Sequence, residues 1–92
     1  MDASDTKDQL EALAKDLDSY RPGDLVGWSV GKLANALLEQ AKLAKPDNPV
    51  LIAVDPYEAS SDGYILSASA ADVRAVLRQV AGVLPGRGPS IG

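Results

Sequence analysis

The chain has 92 residues, 46% of them hydrophobic and 24% charged, with a formal net charge of -4; these figures bound it to one globular domain and set it apart from disordered compositions. It contains no cysteine and no histidine, which excludes disulfides, thiolate metal sites and cysteine nucleophiles, and removes the side chain best suited to proton transfer near pH 7. The acidic balance argues against a reader of the nucleic-acid backbone, and no run approaches the roughly 18 apolar residues that read as a membrane span. The polar start MDASDTKDQ is unlike a signal peptide. The expectation is a cytoplasmic, non-enzymatic protein without metal or cofactor.

Residues 1–5 read as a flexible leader. Thr6-Lys7-Asp8-Gln9 then fits the T-x-x-Q capping box, in which two side chains satisfy backbone N–H groups left over at a helix start. Leu10, Leu13, Ala14, Leu17 and Tyr20 follow at the spacing of one apolar helical stripe, and Arg21-Pro22-Gly23 ends it. Asp24 is placed to cap a second helix running to about Lys45, where Pro46-Asp47-Asn48-Pro49 stops it.

Projected at about 100° per residue, Val26, Val30, Leu33, Leu37, Ala41 and Ala44 form the stripe of this second helix, with Gly27, Gly31, Ala34 and Leu38 as a shoulder. A glycine inside a helix costs about 1 kcal/mol relative to alanine. Gly27 and Gly31 therefore predict a surface where another backbone packs closely, the alternative being a ligand cleft beside them. Trp28 projects to the opposite side, among Lys32, Asn35 and Glu39, with Leu25 and Leu43 to one side. Either the segment 50–68 folds over that side, or Trp28, Leu25 and Leu43 mark an interaction surface.

Residues 50–68 carry two readings. Asn48 before Pro49 is a good pair for the N-cap and first position of a short helix around 49–54, with Asp55-Pro56 as its stop. The β-branched run VLIAV favours instead a strand pairing with YILSA in a hairpin of 50–54 with 64–68. Ser69 caps the last helix, with Asp72 three residues on, and Val73, Val76, Leu77, Val80, Val83 and Leu84 form its apolar face before Pro85-Gly86. Residues 86–92 read as a flexible tail, which leaves a single domain over 6–85.

Few residues suggest chemistry. Asp18-Ser19-Tyr20 resembles, over three residues, the D-S-L site of acyl and peptidyl carrier proteins, whose serine bears a phosphopantetheine arm. That serine opens a helix, whereas Ser19 closes one. Ser4-Asp5-Thr6-Lys7 matches S-x-x-K, but neither S-D-N nor K-T-G accompanies it. Asp55, Glu58 and Asp62 lack calcium-loop spacing and read as a solvated turn. Arg74 and Arg78 stand one turn apart with no acidic residue at i+4, and read as a solvated face.

The sequence thus predicts a mainly α fold, a small bundle of three long helices plus one short helix around 49–54, or α+β if the hairpin forms. Its predicted role is a protein–protein interaction or self-association module, with a protein partner or a second copy and neither nucleic acid nor membrane. The alternative is a small-molecule or carrier-type protein using a cleft beside Gly27 and Gly31.

Overall fold

The computed structural model describes residues 3–84. The fold is mainly α, with the elements α1 (Ala3–Leu17), β1 (Leu25–Gly27), α2 (Trp28–Ala44), α3 (Pro49–Ile52), β2 (Tyr64–Ser69) and α4 (Ala70–Val83). The three long helices and the short one expected from the sequence are all present, with α1 starting earlier, inside the expected leader 1–5, and α2 starting later than expected. The expected tail, 86–92, lies outside the described residues.

The central element is α1, which lies against both α2 and α4, most extensively against α4. Its stripe Leu10, Leu13, Ala14 and Leu17 is buried as its spacing requires, with Tyr20 packed at the rim. From α4 come Val73, Leu77, Val80 and Ala81, so the two helices close a core of small aliphatic side chains. Polar contacts fix their antiparallel direction. Lys7, near the start of α1, donates from Nζ to the carbonyls of Ala81 (2.6 Å) and Leu84 (3.5 Å) at the end of α4. There a cation adds to the Leu84 N–H already donated to the Ala81 carbonyl and complements the helix dipole. At the other end Asp18 meets Arg74 and Arg78.

The α1 start departs from the sequence reading. The helix is already formed at Ala3, and Thr6 is not its cap but a buried residue whose hydroxyl donates to Gln40 Oε1 of α2 at 3.1 Å. A threonine that reads as a cap from its neighbours can equally tie two helices together once a second acceptor is at hand.

Residues 25–27 are a larger correction: they are strand, not the first turn of α2. Arg21 and Asp24 close a turn, with the Asp24 N–H donating to the Arg21 carbonyl and the Arg21 N–H to Asp24 Oδ2. Asp24 therefore caps the turn and Gly27 occupies the N-cap of α2. The chain then alternates, Leu25 out and Val26 in, and pairs antiparallel with β2 in the register Leu25 with Ser69 and Gly27 with Tyr64, irregular between them. The spacing of Val26 and Val30 suits a helix, but a strand partner satisfies the backbone of 25–27 at the same time as it buries Val26.

Of the two readings of 50–68 the short helix forms and the hairpin does not, although its second strand does. Asn48 Oδ1 accepts the Val50 N–H at 2.9 Å with Pro49 in the first turn, so 49–52 is helix. Residues 64–69 are a strand, but their partner is β1 and not 50–54. Ala59 bridges to Ile65 on the other side of β2, and Gly63, the positive-φ residue at 83°, closes the intervening turn. At the start of α4, Asp72 Oδ2 accepts from both the N–H and the hydroxyl of Ser69, the cap expected from sequence.

Candidate functional site

Three sides of α2 are occupied. Gly31, Ala34, Leu38 and Ala41 face the core, and Leu37 is buried toward α1. This face is rotated from the predicted stripe toward the glycine shoulder, leaving Leu33 47% exposed and Ala44 on the surface. The third side is covered by residues 53–60. Asn35 holds that loop with both ends of its amide: Nδ2 donates to the Tyr57 carbonyl at 2.9 Å, and Oδ1 accepts the Tyr57 N–H at 2.8 Å. One side chain thus supplies what a neighbouring strand would have supplied to that peptide. Lys42 Nζ donates to the Val54 carbonyl beside it.

The two glycines separate. A Cβ on Gly31 would lie 2.8 Å from Trp28 Cε3 and 2.9 Å from Ile65 Cγ1, whereas one on Gly27 would meet nothing nearer than Ser29 Oγ at 3.9 Å. Gly31 is a site of close approach, though the approaching group is a ring and a side chain rather than a backbone. The space beside it is filled. Trp28 is half-buried and packed on the core, while Leu25 and Leu43 are 61% and 77% exposed. The three do not share one patch: Leu25 lies on β1, and Trp28 and Leu43 stand at opposite ends of α2, roughly 22 Å apart along its axis.

The fourth side of α2 faces solvent. Ser29, Leu33, Ala36 and Leu43, all exposed, lie on it at steps of four, three and seven residues that keep to one face, and the half-buried Gln40, whose Oε1 accepts from Thr6, joins this row to α1. Lys32 and Glu39, both exposed, border it along one edge. Along the other edge runs a shallow groove of about 180 Å³ between α1 and α2, lined by Gln9, Ala12, Leu13, Asp16, Leu33 and Leu37. An exposed leucine beside a groove with an apolar floor was missed in the sequence, because periodicity assigned Leu33 to the core.

Two other hollows are lined by groups that already have partners or by charges of both signs. Between α1 and α4 an open groove of about 470 Å³ carries Glu11, Lys15, Asp18 and Arg78 over Ala14, Ala81 and Gly82, two charges of each sign. Beneath the 53–60 loop a pocket of about 220 Å³ has Asn35 and Lys42 in its wall, both already engaged by the loop backbone. Arg74 and Arg78 are not the unrelieved pair expected from sequence, since Asp18 Oδ1 lies 3.0 Å from each. Ser19, the residue at the carrier-like position, follows α1 and donates its hydroxyl to the Asp16 carbonyl. Tyr57 is buried with no partner for its hydroxyl among the described residues, and burial, with the Asp72 charge adding to it, pushes that hydroxyl up to about 12.

Among the described residues no group of acidic side chains is arranged to hold a metal ion, and no helix is long and apolar enough to cross a membrane. Compared with known protein families, with curated proteins and with solved structures, the chain has no match.

Proposed function

We propose that this domain is a non-enzymatic protein–protein interaction or self-association module of the cytoplasm, and that its contact surface is the outward face of α2. The observation that carries this reading is the exposed row Leu33, Ala36 and Leu43 on a helix whose other sides are engaged by the core, by α1 and by the 53–60 loop. A helix laid against a groove or a second helix through residues at such spacing is a recurrent mode of recognition. Trp28 supports this surface from within, by closing the sheet side of α2 over Gly31, and is not its anchor.

The alternative, a small-molecule or carrier role beside Gly27 and Gly31, has less support, because Trp28 and Ile65 fill the surroundings of Gly31 and leave open only those of Gly27. A photo-cross-linking amino acid placed at Leu43, and in a separate variant at the exposed Gln79 of α4, tests the module in its native cells. Discrete protein adducts from position 43 and none from position 79 are expected. Equal labelling at both positions, or none at either, overturns the reading.

A further inference from the structure

The charges that border the outward face of α2 indicate what covers it. Lys32 and Glu39 are seven residues apart and so lie on the same edge, separated by roughly 10 Å along the axis, too far to pair with each other. Among the described residues neither has an ion-pair partner. The third charged side chain of α2, Lys42, is turned to the Val54 carbonyl on another side. The charges that α2 itself contributes to this face therefore balance in a chain whose net charge is -4, with one positive and one negative group placed about equally to either side of its centre, and Asp16 of α1 lies beyond the groove on the other edge.

That pattern is self-complementary in one direction only. When two helices pair antiparallel about a two-fold axis, like edges meet, and a residue before the centre of one faces a residue after the centre of the other. In a parallel pair opposite edges meet, and Lys32 and Glu39 would not come together.

We propose, resting on the interaction reading above, that the outward face of α2 pairs with the same face of a second copy of this chain in antiparallel alignment, Lys32 of each copy opposite Glu39 of the other. Setting those residues opposite one another puts the two-fold axis beside Ala36. The smallest side chain of the row then lies where the helices cross, and the Leu33 side chains of the two copies fit against the Ala36 positions. Large against small across the axis is the complementarity that lets two helix surfaces interdigitate. The contact is a single helix face, below the roughly 800 Å² per partner of a standard stable interface, so the association is reversible and depends on concentration.

Sedimentation equilibrium of the full chain from micromolar to millimolar concentration tests this. The wild type is expected to move from the 9.6 kDa monomer toward twice that mass. Lys32→Glu and Glu39→Lys, each of which sets like charges opposite one another at two symmetry-related places, are expected to weaken dimerisation several-fold. The double variant carrying both exchanges restores it, because the pair is only inverted. A wild type that stays monomeric throughout overturns the proposal, as do single variants that dimerise normally or a double variant no better than the singles. Adducts at position 43 to a different protein, together with a monomeric wild type, would leave the interaction module standing and remove the antiparallel pairing.

Discussion

At Gly31 a hydrogen is the only side chain that fits. A Cβ there would stand within 3 Å of both Trp28 and Ile65, closer than two carbons can rest without one of them moving. Gly31→Leu is therefore expected to lower stability by about 1–3 kcal/mol through overpacking, and to shift the emission of the single tryptophan as its ring is displaced. Gly82→Ala is the control: it lies on α4 with nothing within 4 Å of the added carbon, and should raise stability by up to about 1 kcal/mol through helix propensity alone. A urea midpoint unchanged in Gly31→Leu would show that the surface yields. Tyr57 makes a second prediction at this scale. Its folded value of about 12 lies above the ordinary 10.0, so folding disfavours the phenolate. The resulting contribution is complete below pH 10 and is lost as pH rises from there through 12. Wild-type thermal stability should accordingly fall more steeply over that window than that of Tyr57→Phe, with the two curves parallel at neutral pH. Parallel curves through pH 12 would contradict it.

The antiparallel pair α1–α4 is held at both ends by polar contacts from the α1 side, Lys7 onto the carbonyls of Ala81 and Leu84 at the end of α4 and Asp18 onto Arg74 and Arg78. Asp18 is partly exposed, at 44%, as is Arg78 at 58%, and ion pairs in such positions contribute about 0.2–1 kcal/mol. Asp18 also separates two like charges, so its removal both deletes the pairs and restores the repulsion. Asp18→Ala is expected to lose about 1 kcal/mol or less at low salt, and the loss should shrink as salt screens it. Replacing Arg74 and Arg78 together by Gln should remove most of the same energy. The triple variant is then no less stable than Asp18→Ala, which a double-mutant cycle reads directly. Additive losses would mean that Asp18 and the arginines act independently.

For the whole molecule, association through α2 links stability to concentration, because whatever binds the folded state alone stabilises it by mass action. The melting temperature of the wild type should rise with protein concentration. In a variant carrying Leu33→Gln and Leu43→Gln it should stay flat, while agreeing with the wild type at high dilution, since both leucines are exposed in the monomer. A flat wild-type profile would separate the exposed row from any self-association.

Much of this architecture was legible in local pattern. The stripe Leu10, Leu13, Ala14, Leu17, the Asn48-Pro49 start of α3 and the Ser69–Asp72 cap of α4 each involve residues within a turn or two of one another, so neighbouring residues alone contain the information. What local pattern could not supply was anything that depends on a distant partner. Val26 is consistent with a helix by spacing and becomes strand because β2, some forty residues on, offers it hydrogen bonds. Arg74 and Arg78 look unrelieved until α1 brings Asp18 beside them. Leu33 reads as core, and Trp28 projects to the side away from it, until packing turns α2 so that Leu33 is 47% exposed and Trp28 lies half-buried on the core beside Gly31. Periodicity by itself determined where the long helices of this protein run, though not where α1 and α2 begin, and roughly which of their residues are apolar. Which of those residues meet the core and which meet water was decided only by tertiary packing, because a helix with apolar residues on more than one side can be buried from either, and the partner that settles the choice lies far along the chain.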